Sequence, residues 1–208
     1  MRTTSPDRRK AVLDAALAAF GQAAYDDVSV SEVARTAGVA QGLPFHYFGS
    51  KRGLYLAVVE RVITEGDEAH PVPERGADPG AAVRAVLQRH VAFLRDNPLA
   101  VTLALNGAAL DPEVRSTVEQ TRQRGAERLL TTLGIDRPGP AVRALTRAWL
   151  AFLDRLTADW LRDRPFGEAD LIRVLCGSLA DLLETARFLE PETIALANLA
   201  ALRSCDAA

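Results

Sequence analysis

The chain is poor in the residues that staple or metallate a fold. Its two cysteines, Cys176 and Cys205, stand far apart, in no CxxC pair and beside no histidine cluster, which fits a reducing compartment and argues against structural zinc. Cys176 reads as a small buried apolar side chain. Uncharged apolar runs fall short of the roughly 20 residues that span a bilayer; the longest, near Pro98 to Leu110, is interrupted by Asn106 and Gly107. No apolar stretch of secretory type follows the polar, basic segment Met1 to Lys10, so the expectation is a soluble cytoplasmic protein with no membrane partner. Catalytic signatures are missing too. His70 and His90 read as isolated, and no Ser/His/Asp set, glycine-rich phosphate loop or HExxH motif stands out. The sequence therefore calls for no cofactor, no metal and no catalytic residues.

Acidic side chains are absent from one stretch in particular. None stands between Glu32 and Glu60, whereas Arg35, Lys51 and Arg52 fall inside it. The net charge of −2 divides into +1 for residues 1–60 and −3 for the remainder. A phosphate backbone could approach the acid-free stretch without repulsion, although chance also produces such gaps.

What the chain does have is helical periodicity. With 48% hydrophobic and 25% charged residues, it carries enough apolar material for a real core, and disorder over most of its length is not expected. Ser5-Pro6-Asp7 is a start signal, and Val12, Ala15, Ala16, Ala19 and Phe20 then recur at helical spacing to about Gln22. Ser29 or Ser31 can cap a short second helix with Val30, Val33, Ala34 and Ala37 on one face, ended by Gly38. A third short helix is predicted from about Gln41 to Phe48, and Gly49-Ser50 caps a fourth carrying Leu54, Ala57, Val58, Arg61 and Val62. The Pro- and Gly-rich segment from about Gly66 to Gly80 marks a boundary between units 1–66 and 67–208. Beyond it, amphipathic stretches open at Pro79, Pro98, Pro112, Pro140, Glu168 and Pro191, several from a capping residue followed by proline. No strand-type alternation, fixed-period repeat or low-complexity tract occurs, so the fold class is all-α.

Two short helices joined through Gly38 suit a helix-turn-helix. Ala34 must be small where the next helix packs over it, and Gly38 must accept a left-handed turn. An ordinary pair of core helices would explain Val33 and Val39 equally well, but not the residues that follow. Ala40-Gln-Gly-Leu-Pro-Phe-His-Tyr-Phe48, then Gly49-Ser-Lys51, resembles the DNA-reading segment of the TetR (tetracycline-repressor-like) family, and the likeness runs from about Arg9 to Val62. The resemblance implies an N-terminal three-helix helix-turn-helix DNA-binding domain followed by a C-terminal helical ligand-binding and dimerisation domain. It also implies a homodimer on a palindromic double-stranded DNA operator, most often a repressor, released by a small-molecule effector.

Residue by residue, the family's positions that touch backbone or thymine methyl groups match Phe45, His46 and Tyr47. His46 and Tyr47 end a short surface helix from which their polar tips can reach phosphate oxygens, while Phe48 packs inward against the first helix. Lys51 opens the fourth helix, where free N–H groups and the helix dipole already favour an anion. Ser29 and Ser31 can cap or touch phosphate. The sequence departs from the family at Ala40, where a capping Ser is frequent, at Leu43, where Thr or Ser is, and at Pro44, where a helical apolar residue such as Leu is usual. Proline costs about 3 kcal/mol inside a helix but little in its first turn, so the third helix begins no earlier than about Gln41. Leu43 leaves only methyl contact for base reading, Gln41 is the candidate for adenine, and Gly42 lets the backbone approach DNA.

For the second half, His90 shares the apolar side of its helix with Val83, Val86, Leu87, Val91 and Leu94, as a core histidine or a ligand contact. By resemblance the effector pocket, mainly apolar, is lined by Val86, His90, Leu103, Asn106, Thr121, Gly125, Trp149 and Phe152. Two apolar faces, Leu156 and Trp160 on one helix and Leu171, Leu175, Leu179, Leu182 and Leu183 on the next, could be intramolecular core, yet they exceed what one partner helix can cover, and the resemblance implies that they form the dimer interface as a four-helix bundle. The alternatives left open are a regulator controlled by a protein partner, and a helical enzyme or carrier with an incidental helix-turn-helix.

Overall fold

The computed structural model describes residues 5–71, 78–105, 111–191, 200 and 202–203. Among them, nine α-helices and one 3₁₀ turn (Tyr25–Asp27) carry the fold, and no strand occurs. They run α1 (Ser5–Gln22), α2 (Val30–Thr36), α3 (Leu43–Phe48), α4 (Lys51–Ala69), α5 (Pro79–Asp96), α6 (Pro98–Leu105), α7 (Pro112–Thr132), α8 (Pro140–Asp163) and α9 (Glu168–Leu189). The predicted stretch from Pro191, together with Asn106 and Cys205, lies wholly or mostly outside the described residues.

The helices begin where side chains can take up their orphan N–H groups. Ser29 accepts from Glu32 N, Ser50 from Gly53 N, Asp78 from Ala81 N and Asp111 from Glu113 N. Prolines occupy the first turn of α3, α5, α7 and α8, where no intrahelical bond is lost. The end of α2 is closed by a Schellman pair: Gly38 N–H donates to Arg35 O at 3.1 Å and Val39 N–H to Ala34 O at 3.0 Å. That geometry requires Gly38 at φ +66°, a region costly for any residue with a Cβ. The chain then turns through Ala40 to Gly42 and enters α3 at Leu43, two residues later than predicted, with Pro44 buried in its first turn.

Two apolar cores result. One joins α5, α7, α8 and α9 around Leu87, Leu130, Trp149, Leu153, Leu175, Leu179 and Leu183. The other contains Val12, Ala16, Phe20, Val33, Leu54, Val58 and Val62 from α1, α2 and α4, and continues into Leu94 of α5, Leu99, Ala100 and Leu103 of α6, and Val114 of α7. Leu161 of α8 packs against both. Helix α4 therefore runs from α1, α2 and α3 into the larger bundle with apolar contacts along most of its length.

Candidate nucleic-acid interface and ligand cavity

Helix α3 is held from behind and bare in front. Pro44 is buried, and Phe48 packs on α1 with the Arg9 guanidinium 4.9 Å over its ring. Phe45 is 47% exposed, and Gln41, Gly42 and His46 are exposed beside it, with Leu43 partly buried. The Tyr47 hydroxyl lies 3.1 Å from Ser5 Oγ and donates to Ser5 O, tying the end of α3 to the start of α1. Ser31 is exposed on α2, and Ser29 is engaged as its cap. One short link joins α3 to α4, and its tightness depends on Gly53, which sequence reasoning passed over. A Cβ at that position would stand 2.0 Å from Phe48 O.

The charges are arranged differently from the linear reading. Arg35 is paired with Glu32 at 2.5 Å. Arg52 forks onto both oxygens of Asp111, at 2.8 and 2.9 Å, and reaches Glu113 at 2.8 Å. These side-chain bonds, with the charges of the two carboxylates, raise the Arg52 pKa and hold Asp111 below the usual carboxylate range. The acid-free stretch is thus supplied with acid from its own edge and from the start of α7. Lys51 differs: its Nζ donates to Asp26 O at 2.9 Å and lies 4.9 Å from the centre of the Tyr25 ring, partners that leave its charge uncancelled.

Beyond α1 to α3, helices α4 to α8 line a half-open cavity of about 200 Å³. Val86, His90, Leu103, Thr121, Gly125 and Trp149 line it as expected, whereas Phe152 turns away from it and is 43% exposed. Asp154, two residues on, lines the cavity instead. His70 and His90, isolated in sequence, meet at the cavity wall with ring centres 5.4 Å apart. His70 Nδ1 donates to Gly66 O at 2.6 Å, which leaves Nε2 as the bare acceptor of a neutral ring. Burial pushes the His70 pKa down, outweighing the opposing effect of that bond. Asp154 stands 3.2 Å from His90 Nε2 and accepts from Arg122 at 3.3 Å; Arg122 also donates to Ala104 O. Asp67 on α4 accepts from Arg128 and Arg124 of α7. Charges on the apolar side of amphipathic helices were the sequence signal for this cluster, and Asp154, four residues after Leu150, carries it.

The leucines assigned to a subunit interface require a correction. Trp160, Leu171, Leu175, Leu179 and Leu183 are at most 2% exposed inside the protomer's own core, and Leu156 and Leu182 pack against it. Helices α8 and α9 spend those faces on each other and on α5 and α7. The large apolar side chains that α8 and α9 themselves leave exposed are Phe152, Val174, Phe188 and Leu189.

Residues 12–58, from within α1 to the middle of α4, match the family model for bacterial regulatory proteins of the tetR family. The HTH-type transcriptional regulator BetI of Rhizobium meliloti (strain 1021) is 32% identical over 157 residues, covering 73% of this chain and 76% of that protein. The chain belongs to the TetR family. It is a DNA-binding transcriptional regulator and not an enzyme. A TetR-family regulator from Streptomyces coelicolor superposes with TM-score 0.81 at 24% identity, over 97% of this chain and 89% of the other. FadR from Bacillus subtilis, solved in complex with stearoyl-CoA, gives 0.62 at 22%, over 84% and 97%. These two likenesses establish the TetR fold over nearly the whole chain. Among the described residues, no helix is long and apolar enough to cross a membrane and no cluster of metal-ligating side chains occurs.

Proposed function

We propose that this regulator is a cytoplasmic repressor: a homodimer that grips a palindromic operator with its two α3 helices and lets go when a small molecule enters the α4–α8 cavity. In this reading residues 1–66 are the reading head and 67–208 the effector and dimerisation unit. The observation that carries it is the reach of α4. Its first residue, Lys51, stands at the head, and its far end supplies Val62, Ile63, Gly66, Asp67 and His70 to the cavity wall. A ligand that displaces the far end therefore moves the head as a lever.

Two half-sites are read together only when the α3 helices stand about 34 to 36 Å apart or a multiple of it. Swinging the heads changes that distance, and a ligand that favours the wrong spacing releases DNA. Lys51 and His46 serve as phosphate contacts, with Tyr47 orienting the helix; Gln41, Leu43 and Phe45 face the bases, and Gly42 permits close approach. The dimer surface is the outward side of α8 and α9, with Phe152, Val174 and Phe188, since large apolar side chains exposed on neighbouring helices favour a partner. Fluorescence anisotropy on a site selected from a random DNA pool tests the scheme. Ligand should weaken operator binding, and operator should weaken ligand binding by the same factor. Equal ligand affinities with and without operator refute it.

A further inference from the structure

We propose that Arg52 is a positioning residue for operator binding: its fork onto Asp111 and Glu113 locks the start of α4 to the start of α7 and so sets the angle at which α3 is presented to DNA. This rests on the reading of α3 as the operator-gripping helix of a dimer. Arg52 Nε donates to one oxygen of Asp111 at 2.8 Å, Nη2 to the other at 2.9 Å, and Nη2 again to Glu113 at 2.8 Å. A planar guanidinium held at three points has one orientation, which a lysine ammonium in its place would not have. The acceptor is held as firmly, since Asp111 caps α7 and accepts from Glu113 N at 3.0 Å.

The rest of the joint between these two helices is apolar, and apolar packing has no preferred direction. Val59, Val62 and Ile63 of α4 share one core with Val114 and Val118 of α7, contacts that survive a small tilt or slide. A second tie lies near the other end of α4, with the charges reversed: Asp67 accepts from Arg124 and Arg128 of α7. Arg52 and Asp67 stand about 22 Å apart along the helix at 1.5 Å per residue. Two ties that far apart fix both the position and the tilt of α4 on α7. Of the two, the Arg52 tie is the one at the end joined to α3.

The placement of the acids separates this role from an incidental surface pairing. Asp111 and Glu113 are brought against the stretch between Glu32 and Glu60 that has no acid of its own, beside Lys51. Within a Debye length of about 8 Å, carboxylates repel phosphate and lower DNA affinity. Were the pairs incidental, neutralising these acids would strengthen DNA binding. If the pairs orient the head, neutralising them weakens operator binding in spite of the charge removed. The same carboxylate also adjoins the aromatic cluster behind Lys51: burial and the Asp111 charge raise the Tyr55 pKa, and Tyr55 packs edge-on to Tyr25, whose ring lies 4.9 Å from Lys51 Nζ. A shift at Arg52 is thus passed to Lys51 through shared neighbours as well as through the chain.

Fluorescence anisotropy of the full-length protein with operator and with random DNA tests this on Arg52→Met, Asp111→Asn and Glu113→Gln. Methionine keeps the apolar stem, and asparagine keeps the α7 cap. Each substitution should weaken operator binding by about three- to tenfold, while the two acid variants bind random DNA as well as the wild type or better. Melting temperatures should stay close to that of the wild type, because exposed ion pairs add little to stability. Arg52→Glu alone should lose most operator affinity, and adding Glu113→Arg, which again sets one cation among two acids, should recover most of it. Unchanged or tighter operator binding by either acid variant, or no recovery in the reversed pair, overturns the proposal. So does an equal loss on operator and random DNA in Arg52→Met with a salt slope lower by about 1, the signature of a phosphate contact. The two readings fail separately. Gln41→Ala that keeps the wild-type sequence preference refutes α3 as the reading helix, whereas wild-type operator affinity in the fork variants, with that preference altered, refutes only the fork.

Discussion

Gly53→Ala is the substitution that most directly tests how α3 is seated. The added methyl would stand 2.0 Å from Phe48 O, where real Cβ contacts stay beyond 3.0 Å, so α3 and α4 must part by at least the 1.0 Å between those distances. Alanine gains about 1 kcal/mol of helix propensity over glycine, while overpacking of this kind costs about 1–3 kcal/mol. The net loss of up to about 2 kcal/mol lowers the melting temperature by at most about 8 °C in a chain of this size, and the protein stays folded. DNA binding is affected far more. A displacement of 1 Å takes a hydrogen bond near 2.9 Å out of range, and losing two contacts at about tenfold each costs about 100-fold in operator affinity. Anisotropy with operator and with random DNA, alongside thermal melting, measures both effects. Wild-type operator affinity at an unchanged melting temperature would mean that the link is slack and the packing argument wrong.

The other expectations concern contact, assembly and pH. Lys51→Ala should weaken binding to operator and random DNA alike by about three- to tenfold at moderate salt, whereas Gln41→Ala should change the preferred sequence; the same anisotropy assay separates the two. Phe152→Glu should give a folded monomer with poor operator affinity, while Leu179→Glu, which buries an unpaired charge at a fully enclosed position, should not fold at all; light scattering and circular dichroism that find a folded dimer for either refute the assignment. His70 is held below the ordinary histidine range by burial, so between that lowered value and about 6.5 the unfolded chain binds a proton that the folded chain refuses. Its contribution is therefore complete above about pH 6.5 and is lost as the pH falls, and melting curves from pH 7.5 to 5.5 should flatten in His70→Phe.

Local signals carried most of the fold. Caps, first-turn prolines and the Gly38 turn are decided by neighbours in the chain, and the helix starts at Pro79, Pro98, Pro112, Pro140 and Glu168 stand where the sequence put them. The exposure of Phe45 and His46 was legible for the same reason, since it follows from their place on one short helix. What required the third dimension was everything decided by partners distant in sequence. The acid-free stretch gave no hint that Asp111 would arrive against Arg52, and nothing near His70 announced His90. The long leucine faces of α8 and α9 were too rich for one partner helix, but the other partners are α5 and α7 of the same protomer. Amphipathicity measures how much a helix must bury, and not against whom.

The continuous core has a consequence for how such a regulator can be rebuilt. Phe20, Leu54 and Val58 of the head share their packing with Leu94, Leu99, Leu103 and Val114. A head cut off at residue 66 would expose those apolar surfaces to water, so it is not an interchangeable cartridge. Transplanting its operator specificity onto another sensor therefore means exchanging only the outward side chains of α3, or carrying α6 and the first turn of α7 along as its underside. The exposed face of α3 is the part such an exchange can vary, while Pro44 and Phe48 on its other face are fixed by the helices they pack against.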